Sequence, residues 1–212
     1  MTRLLLIRHC ESTWNLVGRY QGRIDTELSE LGMKQAEMIA EHIKNSFKLS
    51  VLYSSPLRRA LHTAVIIATR LGIDVEVREG LTEIDHGAWN GLLRSEVEKR
   101  YGPILNEWLT HPGRVRMPGG EGLMDVLDRA WRVVEEIIEK HEGEDVGICS
   151  HNAVLKVIIL KALSLPLDNF WRIGIDNASL SLLSLDGEMR LSYLNDTCFL
   201  GPYRSESEGE AL

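Results

Sequence analysis

Four segments of this 212-residue chain place side chains suited to handling an anion where strands end. Arg8-His9 closes the apolar run Leu4–Ile7, Ser54-Ser55 leads to Arg58, Glu83 follows a third run, and Ser150-His151 closes a fourth. Guanidinium groups are planar and match the oxygens of phosphate or carboxylate. A phosphomonoester carries about −1.5 to −2 charges at neutral pH, which such cations neutralise with little need for a metal. A neutral imidazole can attack the phosphorus in line and become phosphohistidine. Neighbouring cations favour that neutral form, and a backbone carbonyl can hold the other ring nitrogen. The leaving alkoxide needs a proton, and Glu83 is the nearest donor. No member is persuasive alone. A lone histidine after a strand is more often a core or surface residue, and Arg58 in a first helical turn opposes the helix dipole unless an anion compensates it.

The elements that would bring these groups together are readable from hydrophobic period. Leu4–Ile7 reads as a strand buried on both faces. Ser29 caps a helix with Ala36, Ile39, Ala40 and Ile43 at helical spacing. "SVLYSS" is a second strand, and Pro56 suits the first position of a helix running to about Leu71. "DVEVRE" is a third strand, and residues 92–120 read as a cap of short helices. "PGGEG" opens a long helix with Leu127, Trp131, Val134 and Ile138 on one face. "DVGICS" is a fourth strand, followed by an apolar helix from Ala153 to about Leu163, and "LSLLSL" and "RLSYL" flank a hairpin turn at Asp186-Gly187. Alternating strands and helices predict an α/β three-layer sandwich with a mostly parallel central sheet. Ligands of such sheets bind beyond the carboxyl ends of the strands. Residues 1–203 read as a single domain, and 204–212 as a polar, disordered tail.

Composition narrows the setting. The formal charge of −7 argues against nucleic acid or an anionic membrane as a partner. Cys10, Cys149 and Cys198 are odd in number and form no CxxC pair, which fits a reducing compartment. No stretch is long enough for a signal peptide or a membrane span, so the expected location is cytoplasmic. A homodimer is admitted: Trp89, Trp108 and the cap fit either a dimer contact or a pocket lid.

The segments "LIRHCESTWN", "GRYQGRIDTELSELGMKQA", "LYSSPLRRALHTA", "LTEIDHGAWNG", "PGGEG" and "CSHNAV" resemble, in order, the histidine phosphatase superfamily, in the branch that contains the cofactor-dependent phosphoglycerate mutases. The match runs from Arg3 to about Leu200. It implies a phosphoglycerate mutase-like fold with neither cofactor nor catalytic metal. His9 would be the phosphorylated nucleophile, Arg8, Arg58 and His151 would grip the phosphoryl group, and Glu83 would be general acid and base. Asn15 and Gln21 match positions lining the phosphate or substrate side. Cys10 and Asn152 depart from the pattern, standing where a glycine and a small residue are usual.

The compact segment from Glu83 to His151 resembles phosphatase rather than mutase members, so the expected reaction is hydrolysis of a small phosphomonoester. His86 in "EIDHG", with "FWRIGIDNASLS" and "LNDTCFL", is similar to the metal-independent phosphoserine phosphatases, where a second imidazole could bind a substrate carboxylate. The bland reading of His86 is a loop-filling residue beside Trp89. Three rivals stay open: a phosphoglycerate mutase, a non-catalytic member that pairs with an active subunit, and a metal hydrolase using His9, His151, Asp85 and His86. The last has no HxxxH or HExxH spacing behind it.

Overall fold

The computed structural model describes residues 1–205; the tail expected at 204–212 therefore lies almost wholly outside the described residues. Strands β1 (Thr2–Arg8), β2 (Leu49–Ser54), β3 (Val75–Val77), β4 (Asp145–Ser150), β5 (Leu180–Asp186) and β6 (Glu188–Asp196) form one sheet in the order β3-β2-β4-β1-β5-β6. The first four in that order are mutually parallel, while β5 and β6 run antiparallel and are joined through Gly187 at φ +78°.

Alternation along the buried strands sorts the core into two halves. Leu4 and Leu6 point with Val51, Tyr53, Val146 and Ile148 toward helices α4 (Leu123–Lys140) and α5 (Asn152–Ala162). Leu5 and Ile7 point with Leu52 and Cys149 toward helices α1 (Glu30–Ser46) and α2 (Arg58–Leu71). The sheet is thus covered on both faces, the three-layer arrangement expected. Ser29 caps α1 as anticipated, its Oγ accepting the Gly32 N–H at 2.9 Å.

Details differ from expectation in three places. Helix α2 begins at Arg58, not Pro56, because Leu57 stays extended (φ −64°, ψ 132°) as the cap residue. Along α4 the buried stripe is Leu123, Val126, Ala130, Val133, Val134 and Ile137; Leu127, Trp131 and Ile138 sit at its edge, partly buried. Trp89 and Trp108 are wholly enclosed in the core, so neither can form the dimer contact that their exposure would have allowed. Helix α3 (Arg94–Thr110) is two short helical stretches in series, broken at Tyr101 (φ −132°, ψ 26°) just before Pro103. Its Val97, Leu105 and Trp108 join the α4–α5 side of the core.

Candidate active site

Strands β2, β4 and β1 lie side by side and end along the same edge of the sheet. Arg8 pairs with Ser150 and Ser54 with Cys149, so His9, His151 and Ser55 leave the sheet as neighbours. Backbone bonds extend the ladder past the strand ends, from His9 N to Ser150 O (2.9 Å) and from Ser55 N to Cys149 O (3.1 Å). The His9 and His151 ring centroids stand 5.1 Å apart, both rings buried.

A hydrogen bond to a carbonyl fixes the proton on the His9 ring. His9 Nδ1 lies 2.7 Å from the Cys10 carbonyl oxygen. A carbonyl can only accept, so Nδ1 carries the hydrogen and Nε2 keeps its lone pair. Burial, then the charges of Arg59 and Arg8, hold His9 well below the ordinary imidazole range, against the opposing Cys10 bond. The ring is a neutral base. His151 Nε2 lies 2.7 Å from Ser55 Oγ, which also accepts the Leu57 N–H at 3.3 Å. When the Ser55 hydroxyl donates to Nε2, the His151 proton sits on Nδ1, a buried atom with no hydrogen-bond partner among the described residues. Burial and Arg59 also hold His151 well below its ordinary range.

The two arginines expected to grip an anion fare differently. Arg8 is buried, with Nη1 donating to the Ile175 carbonyl. Arg58 does not reach the pocket: its side chain is 63% exposed and pairs with Asp25 (3.2 Å) and Glu27 (2.5 Å). These carboxylates are the anions that compensate its place at a helix start, and Asp25 also accepts the Arg58 N–H at 2.7 Å. The inward-facing guanidinium belongs to Arg59, 1% exposed, donating to the carbonyls of Gly22 (2.8 Å) and Ile24 (2.9 Å). Burial lowers its pKa to about 10. Its charge acts on His9, Glu83, His86 and His151 alike, so one guanidinium serves the whole cluster. Periodicity carried the missed signal: Ala60, Thr63, Ala64 and Ile67 share the buried face of α2 with Arg59, whereas Arg58 lies one residue, about 100°, away from it. Ser55 stands at a strand end in the sequence with no role assigned to it, and only the fold brings it against His151.

Glu83 is buried, with Oε1 accepting the Ile84 N–H at 2.8 Å. Burial raises its pKa, against the Ile84 N–H bond and the charges of Arg59 and Arg8. His86 is fully buried, and both ring nitrogens lack a hydrogen-bond partner among the described residues. Its neighbours are the rings of Tyr20 (5.1 Å between centroids) and Trp89 (6.5 Å), and burial drops its pKa to about 3. Asn15 Oδ1 lies 2.8 Å from the Ser12 hydroxyl, and Gln21 Oε1 lies 2.8 Å from both the Ser12 and Thr26 hydroxyls. With each amide oxygen so engaged, the NH2 groups are the donors these residues have to offer. Cys10 is buried and its thiol is pushed up to about 12, which makes it a poor nucleophile. Among the described residues no group of three or more His, Cys, Asp or Glu is arranged to hold a metal ion.

A parallel sheet that gathers two neutral imidazoles, two buried guanidiniums and a protonatable carboxyl at one edge describes a site for phosphoryl chemistry. The chain belongs to the histidine phosphatase superfamily (branch 1), whose family model matches residues 4–197. It is 38% identical over 208 residues to phosphoserine phosphatase 1 of Hydrogenobacter thermophilus, an alignment covering 98% of each chain. Among solved structures, Bacillus stearothermophilus YhfR superposes with a TM-score of 0.90 at 30% identity, covering 94% of this chain and 100% of that one. A mutant phosphoserine phosphatase from Entamoeba histolytica in complex with phosphoserine superposes at 0.84 with 30% identity, covering 94% and 100%.

Two outcomes follow. In titration calorimetry with inorganic phosphate, Arg59→Ala should weaken binding by at least about tenfold, whereas Arg58→Ala, which removes an exposed ion pair, should stay within about twofold; the reverse ranking would restore Arg58. Stability should also depend on the three neutral imidazoles. An unfolded histidine takes up a proton near pH 6.5 while these do not, so stability is full above that pH and falls on acidification, by up to about 1.4 kcal/mol per pH unit for each ring. For His86 the window extends down to about pH 3. Urea unfolding between pH 7 and 5 should show a shallower decline in His86→Phe, and an unchanged slope would contradict the buried neutral ring.

Proposed function

We propose that the protein is a metal-independent phosphomonoesterase that works through phosphohistidine at His9, with phosphoserine as its substrate. The observation that carries this reading is the pinned tautomer of His9: Nδ1 is committed to the Cys10 carbonyl at 2.7 Å, and Nε2 is left as a lone pair among buried cations. The phosphoryl oxygens are received by Arg8, Arg59 and the Nδ1–H of His151, with Asn15 and Gln21 adding amide donors. Glu83 enters protonated, gives its proton to the leaving alkoxide, and as carboxylate draws a proton from the water that then attacks phosphorus. The phosphoryl group passes to water as inorganic phosphate, and His9 and protonated Glu83 are regenerated. Arg8 and Arg59 would repel a divalent cation, and the mechanism needs neither metal nor cofactor.

His86 supports the choice of phosphoserine. A buried imidazole with two unpartnered nitrogens is costly unless a ligand completes it, and its N–H can donate to a substrate carboxylate. The names of the relatives point the same way. The compact segment between Glu83 and His151 favours water over a returning phosphoglycerate as acceptor. Residues 1–203 act as one domain on a small molecule in the cytoplasm, with no part for nucleic acid or membrane; among the described residues no helix is long and apolar enough to cross a bilayer. The reaction does not require a second copy of the chain.

Turnover of phosphoserine, phosphothreonine, 3-phosphoglycerate, sugar phosphates and p-nitrophenyl phosphate tests the reading, with mutase activity measured alongside. Phosphoserine should give the highest kcat/KM. His86→Ala should lower that value roughly 10- to 100-fold while leaving p-nitrophenyl phosphate within about threefold. A uniform loss would reject the carboxylate contact, and phosphoglycerate interconversion faster than hydrolysis would make the protein a mutase.

A further inference from the structure

The segment that carries Glu83 has no regular structure of its own between the turn at Glu79–Leu81 and the next at Gly87–Trp89, yet its backbone is held at almost every step. Arg129, on the second turn of α4, donates Nη1 to the carbonyls of Gly80 (2.8 Å) and Thr82 and Nη2 to that of Glu83 itself (3.1 Å). The same guanidinium pairs with Glu121 through Nε (3.0 Å) and Nη2 (3.1 Å). Glu121 completes the frame: its Oε2 accepts the Asp85 N–H at 2.9 Å, and its own N–H donates to the Asp85 carbonyl at 2.9 Å. One ion pair therefore fixes backbone on both sides of Glu83.

The two loops are also packed against each other too closely for side chains. A Cβ on Gly120 would stand 2.2 Å from the Asp85 carbonyl oxygen, and one on Gly87 (φ +55°) would stand 2.2 Å from the Pro118 oxygen. This gives "PGGEG" a task beyond opening α4. Its Gly120 lets the loop lie on the Glu83 segment, and its glutamate joins Arg129. A second strut comes from β4, where Ser150 Oγ donates to the Leu81 carbonyl at 2.7 Å.

We propose that Arg129 and Glu121 are positioning residues for Glu83, holding residues 80–85 so that the carboxyl meets the leaving oxygen. The inference rests on the reading of Glu83 as general acid. Arg129 has the donors for it: a planar guanidinium can span three carbonyls and a carboxylate together, and an ammonium cannot. Placement matters because a proton donor displaced by about 1 Å can lose on the order of 100-fold in rate. A displacement of Glu83 should be felt only by reactions that need the proton; the Arg129 charge also acts on His151, and Arg129→Lys retains it. An alkoxide leaving group needs it, and 2,4-dinitrophenolate does not.

The test compares kcat/KM, which reports formation of the phosphohistidine, for phosphoserine and 2,4-dinitrophenyl phosphate in Arg129→Gln, Arg129→Lys, Glu121→Gln and Glu83→Gln. Arg129→Gln should lose roughly 10- to 100-fold on phosphoserine and less than about threefold on the dinitrophenyl ester, with Arg129→Lys recovering part of the loss. Glu121→Gln, which keeps its shape and makes a milder change, should show the same split at about tenfold and decides the matter if Arg129→Gln does not fold. Equal losses on both esters in the Arg129 and Glu121 variants, beside a selective loss in Glu83→Gln, would overturn the positioning role alone. A Glu83→Gln variant with no selectivity would instead remove the general acid, and this inference with it.

Discussion

The arrangement depends on enclosing the Arg59 guanidinium without a carboxylate in contact. Moving an ion of that size out of water costs several kcal/mol unless its surroundings compensate. Arg59 is 1% exposed, held by two backbone carbonyls, and among the described residues no acidic side chain lies within salt-bridge distance. The consequences radiate from that charge. It helps keep His9 and His151 unprotonated, and it opposes the burial that raises Glu83. In the proposed reaction an entering phosphate dianion offsets this electrostatic imbalance, which Glu83 and Asp25 offset only in part.

The fold is the means of sustaining that imbalance. Parallel strands β1, β2 and β4 set two histidines and a serine side by side, and helix α2 turns Arg59 inward while Asp25 and Glu27 satisfy Arg58 outside. Side chains then divide the work by which atom each leaves open. The Cys10 carbonyl takes one nitrogen of His9, and the Ser55 hydroxyl takes one of His151. The departures at Cys10 and Asn152 leave this intact. Cys10 contributes its carbonyl while its thiol is buried beside α1 and α2, and Asn152 is the first, buried residue of α5, its amide unpartnered among the described residues.

Much of this was legible in one dimension. The four parallel strands, the terminal hairpin and the residues at the strand ends follow from apolar runs and their polar endings. Arg58 shows where such reading stops. Adjacent arginines are nearly equivalent by type, and choosing between them requires the helical phase, which groups Arg59 rather than Arg58 with Thr63 and Ile67 on the buried face. The suspicion attached to a cation at a helix start was sound; its resolution was Asp25 and Glu27 at the surface rather than a ligand. Trp89 and Trp108 misled through size, since large aromatic rings suit an interface or a core and only packing decides. Ser55 with His151, and Arg129 with residues 80–83, are contacts made across long stretches of chain by tertiary structure, and no local pattern announces them.

In the proposed reaction one nitrogen of one ring receives the phosphoryl group. Rapid alkaline quenching during turnover of phosphoserine, followed by peptide mass spectrometry and 31P NMR, should find phosphate on His9 at Nε2, because Nδ1 is occupied by the Cys10 carbonyl. Phosphate on Cys10, on His9 Nδ1, or on no side chain while turnover proceeds would contradict it.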